Sequence, residues 1–266
     1  MKHKDPIAAE KKHYNVICIK WGQSYGSEYV NRLYNMVERN TTFPFEFYCF
    51  TDNKEGLSGE IIVKPLPVLE VSQEDNKYSY RKEAGLCADN LGGLNGQRVL
   101  YFDLDTVIVD SIDCFFTRPQ GDEFIIINDW NTKGDHVGQA SCYSWVVGSL
   151  GFVKEYFEQH PKEVVDRFFT ASQEYLSDQV IKKFGKLNFW PDNWCRSFRF
   201  HCLPIGPLRH FMTAKIPAGA KILVFHGSPN PHEAVKGVWS EVVKIPLWKR
   251  LYKTVRPTPW IENYWK

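Results

Sequence analysis

LYFDLDTVIVD, residues Leu100–Asp110, decides how this chain is read. Aromatic and branched residues run into Asp103-Leu104-Asp105, and apolar residues resume after Thr106. Such a run reads as a buried strand that finishes in two carboxylates. Residues two apart in an extended segment point the same way, so the pair shares one side, about 7 Å apart. Unpaired at that range, two carboxylates repel and one has its pKa raised. A divalent cation removes the conflict, and oxygen ligands suit Mg²⁺ or Mn²⁺. A metal held this way can bind a diphosphate and stabilise its charge as it leaves. The competing reading makes both aspartates N-caps of a following helix.

The flanking sequence supplies the frame. YNVICIK, Tyr14 to Lys20, reads as a first strand, followed by a loop from Gly22 to Gly26. Tyr29, Leu33, Met36 and Val37 then recur at helical spacing. Phe45 to Thr51 is a second strand, and IIVKPLP a short one stopped by Pro65 and Pro67. A helix is expected from Asn76 to Leu91, capped by Asn76. Beyond the opening stretch, strands are expected at Glu123 to Asn128, Cys142 to Gly148 and Lys221 to Gly227. Helices are expected at Val153 to His160, Gln173 to Phe184 and, briefly, near Leu247 to Tyr252. Strands alternating with helices imply a mostly parallel sheet covered on both faces. Ligands of such sheets sit at the carboxyl ends of the strands, where Asp103 and Asp105 stand.

The bulk numbers exclude several classes. The chain has 266 residues, enough for one large α/β domain or two small ones. Its 33 basic and 31 acidic residues leave a net +2, which makes no case for general nucleic-acid binding. No apolar run is long enough to span a bilayer. The opening MKHKDPIAAEKK lacks the apolar core of a signal peptide and reads as a frayed terminus. Seven scattered cysteines with no CxxC read as buried free thiols of a reducing compartment. Aromatic residues make up 15% of the chain, mostly core, with a surplus that suits stacking on sugar rings.

Two enzyme classes use a strand-terminal DxD. Tyr101 to Val107 satisfies the hhhhDxDx[TV] pattern of haloacid dehalogenase-like phosphatases, with Asp103 as nucleophile and Asp105 as acid. Those enzymes place that motif early and need a later acidic pair. Here about a hundred residues precede it, and Asp178 and Asp192 stand singly. The other class is the metal-dependent nucleotide-sugar glycosyltransferases, which reach DxD after a nucleotide-binding half.

Order and spacing favour the second class. ICIKWGQSYGSEYVNRLYNMV, YSYRKEAGLCADNL with VLYFDLDTVIVDSID, LSDQVIKK, and VFHGSPNPHE together resemble glycosyltransferase family 8 and its bacterial GT-A relatives, from Val16 to about Trp239. The resemblance implies a single α/β domain of GT-A fold, a Rossmann-like, mixed and mostly parallel sheet flanked by helices. Residues 1–13 would be a flexible terminus, 14–105 the nucleotide-binding half, 106–240 the donor-sugar and acceptor half, and 241–266 a C-terminal extension. It implies transfer from a nucleotide sugar, a UDP-sugar, to an acceptor hydroxyl with retention, on Mn²⁺ or Mg²⁺. His226 would join Asp103 and Asp105 as third metal ligand, and Gly227 would let the backbone approach the phosphates. Lys20, Trp21, Gly22 and Tyr25 would hold base and ribose, with Trp21 or Tyr25 stacking on uracil.

Tyr80, Arg81 and Lys82 open the expected helix, where positive charge makes sense facing an anion; Arg81 is the favoured phosphate ligand. Asp89 would touch the donor sugar, and Gln139, Ala140 and Ser141 would lie near it. Asp178 and Gln179 match the family's DQ pair, with Asp178 the candidate acid/base or orienting carboxylate. The chain departs from the family's HxGxxKP at Asn230, where a lysine would neutralise the diphosphate; Lys236 or His232 could substitute. That departure leaves a catalytically silent GT-A binding module as an alternative, beside the phosphatase. WPDNWCRSFRFHCLP, Trp190 to Pro204, reads either as an acceptor platform presenting Arg196 and Arg199 or as a hydrophobic cover over the sheet. A glycan or lipid-linked acceptor and a cytoplasmic site, peripheral to the inner membrane face, complete the expectation.

Overall fold

The computed structural model describes residues 13–72, 80–132, 134 and 136–266. In chain order the strands are β1 (Tyr14–Lys20), β2 (Phe45–Thr51), β3 (Ile62–Lys64), β4 (Arg98–Phe102), β5 (Thr106–Ile108), β6 (Ile125–Asn128), β7 (Gly138–Val146), β8 (Asn188–Phe189), β9 (Cys195–Ser197) and β10 (Ile222–Val224). The helices are α1 (Ser27–Asn40), α2 (Asp113–Thr117), α3 (Gly151–Gln159), α4 (Pro161–Phe168), α5 (Ser172–Phe184), α6 (Pro231–Lys236) and α7 (Ile261–Tyr264). Seven strands form the main sheet in the order β3-β2-β1-β4-β7-β6-β8, and β5-β10-β9 form a small second sheet. In the main sheet β7 alone runs antiparallel to its neighbours β4 and β6. This is the expected α/β class.

Why β1 is central can be read from its side chains. Six of its seven residues are buried, so both faces are covered and apolar residues run without alternation. Val16 and Cys18 join one hydrophobic cluster, and Ile17 and Ile19 join the other across the sheet. Helix α1 covers the first face. Its N-cap Gly26 makes no side-chain cap, a bond worth about 1 kcal/mol elsewhere. Burial of Tyr29, Val30, Leu33, Met36 and Val37 outweighs that loss, at about 1.5–3 kcal/mol for each large aliphatic side chain.

The structure corrects the sequence reading in places. No regular helix occupies 80–91; one 3-10 turn, Gly85–Cys87, is all that forms there. The chain turns once, with Ala84 N–H bonding the Tyr80 carbonyl at 2.8 Å, and Ala88 then adopts an extended ψ of 142°. Glycine at 85 contributes to the failure to propagate. The proposed cap Asn76 lies outside the described residues, as does all of the expected frayed terminus but His13. Strand β7 starts four residues earlier than expected, and α4 was not anticipated; Pro161 at its first turn, preset to a helical φ, starts it. The 190–204 stretch is mostly a cover: Trp190, Phe198, Cys202 and Leu203 are buried, while Phe200 is exposed and Arg199 is half-buried beside the Trp239 ring. All seven cysteines are free thiols, and six are buried. Among the described residues no helix is long and apolar enough to cross a membrane.

Candidate active site

Parallel β1 and β4 end side by side, so their carboxyl ends open on one cavity of about 580 Å³. That volume lies in the range of small-molecule sites. Lys20, Trp21, Ser24 and Tyr25 line it from the segment after β1, and Lys82 from the irregular turns. Tyr101, Asp103, Leu104 and Asp105 come from the end of β4, with Asn230 and Val242 on the C-terminal side.

The two aspartates do not lie in an extended segment. Thr106 N–H donates to the Asp103 carbonyl at 3.1 Å, which closes a four-residue turn between β4 and β5. No helix follows, so neither aspartate is an N-cap. Asp103 is held by three donors. Both its carboxylate oxygens lie 3.1 Å from Lys82 Nζ, Tyr101 Oη donates to Oδ1 at 2.6 Å, and Ser141 Oγ donates to Oδ2 at 2.6 Å. Gln139 in turn braces Ser141, at 2.8 Å to its hydroxyl and 3.0 Å from its N–H.

Asp105 accepts from the Tyr25 hydroxyl at 3.0 Å and from its own backbone N–H, and is 8% exposed. Burial and then the neighbouring Asp103 charge push its carboxyl up to about 7. Burial works against charge on Lys82 as well, but Asp103 and Glu83 outweigh it and hold the ammonium above its ordinary range. The cavity therefore presents two carboxylates in conflict, relieved on one side by a lysine. The arrangement can gather cations and, through Lys20 and Lys82, meet an anion. Asp103 and Asp105, with the Asn230 amide oxygen 3.4 Å from Tyr25 Oη, form an oxygen-only set that suits Mg²⁺ or Mn²⁺.

His226 is not with them. Its Nε2 shares a 2.8 Å hydrogen bond with Ser197 Oγ, and its ring stacks near Trp130 and Phe200, at 5.7 and 5.6 Å between centroids. Burial, then Arg199, lower its pKa to about 4, so the ring is neutral near pH 7. Among the described residues no three His, Cys, Asp or Glu side chains come together as a metal group. The expected Asp-Asp-His triad is not assembled.

Other expected residues also stand apart from the cavity. Gly22, at φ +61°, donates its N–H to Asp52 Oδ2 at 3.1 Å at the cavity's edge. Tyr80 is fully buried, stacked 4.7 Å from Phe157, with its hydroxyl on the Phe169 carbonyl. Arg81 lines a separate recess with Leu66 to Leu69. The cation that turns inward is its neighbour Lys82; with no regular helix here, sequence phase could not tell the two apart. Asp89 sits against Gly151, where its Oδ1 would lie 1.9 Å from any added Cβ. Gly227 has φ +78° and packs by Arg199. Lys236 is exposed and paired with Glu241 at 2.8 Å; His232 Nδ1 meets Tyr29 Oη at 2.6 Å. Asp178 pairs with Arg167 and Lys182 at 2.9 and 2.8 Å in a different recess, and Gln179 Nε2 bonds it at 3.2 Å. Sequence reasoning turned Lys82 toward an anion but favoured Arg81 over it, and it did not place Tyr101 or Asn230 in the cavity wall. For Asn230 the signal was its place opposite the family's lysine.

Neither a protein-family model nor a curated protein matches the chain. Solved structures do. One is the galactosyltransferase LgtC in complex with donor and acceptor sugar analogs, at TM-score 0.55 and 13% identity, covering 89% of this chain and 99% of LgtC. WbbM, a bifunctional glycosyltransferase, aligns at TM-score 0.54 and 11% identity over 86% of this chain and 48% of its own. The apo-form glycosyltransferase GlyE of Streptococcus pneumoniae aligns at TM-score 0.53 and 11% identity over 95% of this chain and 63% of its own. This chain thus spans about half of WbbM and under two thirds of GlyE. The fold is the GT-A fold of these glycosyltransferases.

Proposed function

We propose that this chain is a glycosyltransferase that moves a sugar from a nucleotide sugar, a UDP-sugar, to an acceptor hydroxyl with retention, using Mn²⁺ or Mg²⁺ on Asp103 and Asp105. The observation that carries the reading is the aspartate pair at the carboxyl end of β4, facing a cavity walled by Trp21, Tyr25 and two lysines. When bound, the metal would neutralise the diphosphate that leaves the sugar. Trp21 offers the base a stacking face, because the Tyr25 ring packs on Tyr29 at 4.6 Å between centroids and its hydroxyl is engaged with Asp105. Lys82 supplies a preorganised cation at the same carboxylate, and Lys20 a second at the end of β1. Ser141 and Tyr101 hold Asp103 in one orientation, so the carboxylate need not reorganise as charge develops.

The test is UDP release from a panel of UDP-hexoses with Mn²⁺ present, comparing the parent chain with Asp105→Asn. Slow hydrolysis of at least one donor, abolished in the variant, supports the reading. Phosphatase activity on simple phosphoesters, with no UDP released from any donor, would refute it.

A further inference from the structure

Ten of the fifteen large hydrophobic residues exposed among the described residues fall in two short segments, 205–215 and 242–256. Their fractional exposures run from 42% for Met212 to 91% for Val242. The first segment carries a 3-10 helix, Gly206–His210, and the second another, Leu247–Leu251. A 3-10 helix has three residues per turn, so side chains three apart eclipse. Ile205, Leu208 and Phe211 are spaced that way and crowd one side. Trp248 and Leu251 are spaced the same way in the second segment, with Leu247 next to Trp248 in the chain.

The two segments make one surface. Arg209 Nη1 donates to the Tyr252 carbonyl at 2.9 Å, and Arg256 Nη1 donates to the His210 carbonyl at 2.9 Å. His210 Nε2 lies 3.1 Å from the Leu251 carbonyl. Contiguous exposed apolar surface of this kind marks an interaction site. Its charge names the partner. The two segments hold seven lysines and arginines and no aspartate or glutamate, so the rest of a chain with 33 basic and 31 acidic residues is net acidic.

We infer that this surface seats the protein on an anionic lipid bilayer. Trp248 and Tyr252 have the apolar body and polar tip that favour the headgroup boundary. Leu247, Leu251, Ile205 and Phe211 reach into the acyl boundary, and Lys249, Arg250 and Lys253 meet lipid phosphates. A protein partner would be expected to offer carboxylates in fixed positions. Exposed apolar tips interspersed with basic side chains that no carboxylate in either segment partners fit a fluid anionic surface better. Val242 belongs both to this surface and to the wall of the cavity. On the reading proposed above, the acceptor hydroxyl is therefore presented from the bilayer.

The experiment is vesicle co-sedimentation, with no nucleotide or metal added, so its failure is separate from failure of the glycosyltransferase reading. The parent chain is mixed with phosphatidylcholine vesicles that do or do not contain phosphatidylglycerol. It is expected to pellet with the anionic vesicles and to be released by about 0.5 M salt, where the Debye length falls to a few ångströms. Each basic side chain at such a surface strengthens partitioning about fivefold, so Lys249→Glu with Arg250→Glu should weaken it by about 25-fold or more. Trp248→Ala with Leu251→Ser should weaken it by about tenfold or more. Both double variants should keep an unfolding temperature close to the parent's, since Trp248, Arg250 and Leu251 are exposed and Lys249 is half-buried. Three results would overturn the inference: a parent that stays in the supernatant with anionic vesicles, variants that bind as the parent does, or a parent dimer that both variants dissociate in sedimentation velocity. The last would assign the surface to a second copy of the chain.

Discussion

Lys82→Met gives the sharpest reading of the candidate site's electrostatics. The ammonium lies 3.1 Å from both oxygens of Asp103 and 3.3 Å from Glu83, with 17% of its side chain exposed. Two unit charges at that distance attract by about 5 kcal/mol at an effective dielectric of about 20. Desolvation of both groups offsets part of this, but removing one partner leaves the other charge buried and unpaired, which costs about 3–5 kcal/mol in buried pairs. Asp103 keeps the Tyr101 and Ser141 hydroxyls, so the low end applies, about 3 kcal/mol. With a urea m-value near ~3 kcal/mol/M for a chain of this size, the midpoint should fall by about 1 M at pH 7 without metal. Added Mn²⁺ should restore more stability to the variant than to the parent, because the variant leaves the aspartate pair without its lysine. A midpoint shift under about 0.3 M, or equal Mn²⁺ effects in both chains, would refute the reasoning.

Other residues give independent checks. Glu233 is 1% exposed and accepts from the N–H groups of Asn230 and Glu241, at 2.7 and 2.6 Å. Glu233→Ala breaks the capping box of α6 and orphans both donors, so urea unfolding should show a loss of about 2 kcal/mol. Gly237 has φ +75°, and an added Cβ would stand 2.5 Å from Pro257 Cδ and 2.6 Å from its backbone nitrogen. Gly237→Ala should therefore cost at least about 2 kcal/mol in the same assay, with no compensation from a Pro257→Ala background, since the backbone atom remains. Burial tends to raise the Asp113 carboxyl, but hydrogen bonds from Thr41 and Thr42 outweigh it and hold its pKa below the ordinary value. A depressed folded-state pKa stabilises above the unfolded value, near ~4, and that stability is lost as pH falls through the folded value. Asp113→Asn should accordingly lower the thermal midpoint at pH 7, and that difference should shrink as pH falls through the carboxylate range, read by circular dichroism.

Much of the frame was legible because its signals are local. The apolar run Val16–Ile19 inside Tyr14–Lys20 reads as a strand buried on both faces, and Tyr29, Leu33, Met36 and Val37 mark the buried stripe of α1. Asp103 and Asp105 were legible as residues facing a cavity because carboxylates that close an apolar strand need a reason. What failed was orientation. The 80–91 segment has helical composition but folds as turns, so Lys82 rather than Arg81 enters the cavity. His226 follows an apolar strand as expected, yet Ser197, on the neighbouring strand β9, engages its ring. Asp178 reads as a catalytic carboxylate in sequence, but Lys182 one helical turn on and Arg167 on α4 hold it at the surface. The Ser197–His226 bond joins distant parts of the chain, which a one-dimensional pattern does not encode, whereas the Asp178–Lys182 pair lies within one helical turn and was open to a reading of charge spacing.

The measurement that tests the central claim most directly is calorimetric titration of UDP into the parent chain, with and without Mn²⁺. The account predicts binding that requires the metal and disappears in Asp103→Asn. Metal-independent binding of equal strength in parent and variant would contradict it, as would no heat of binding under either condition.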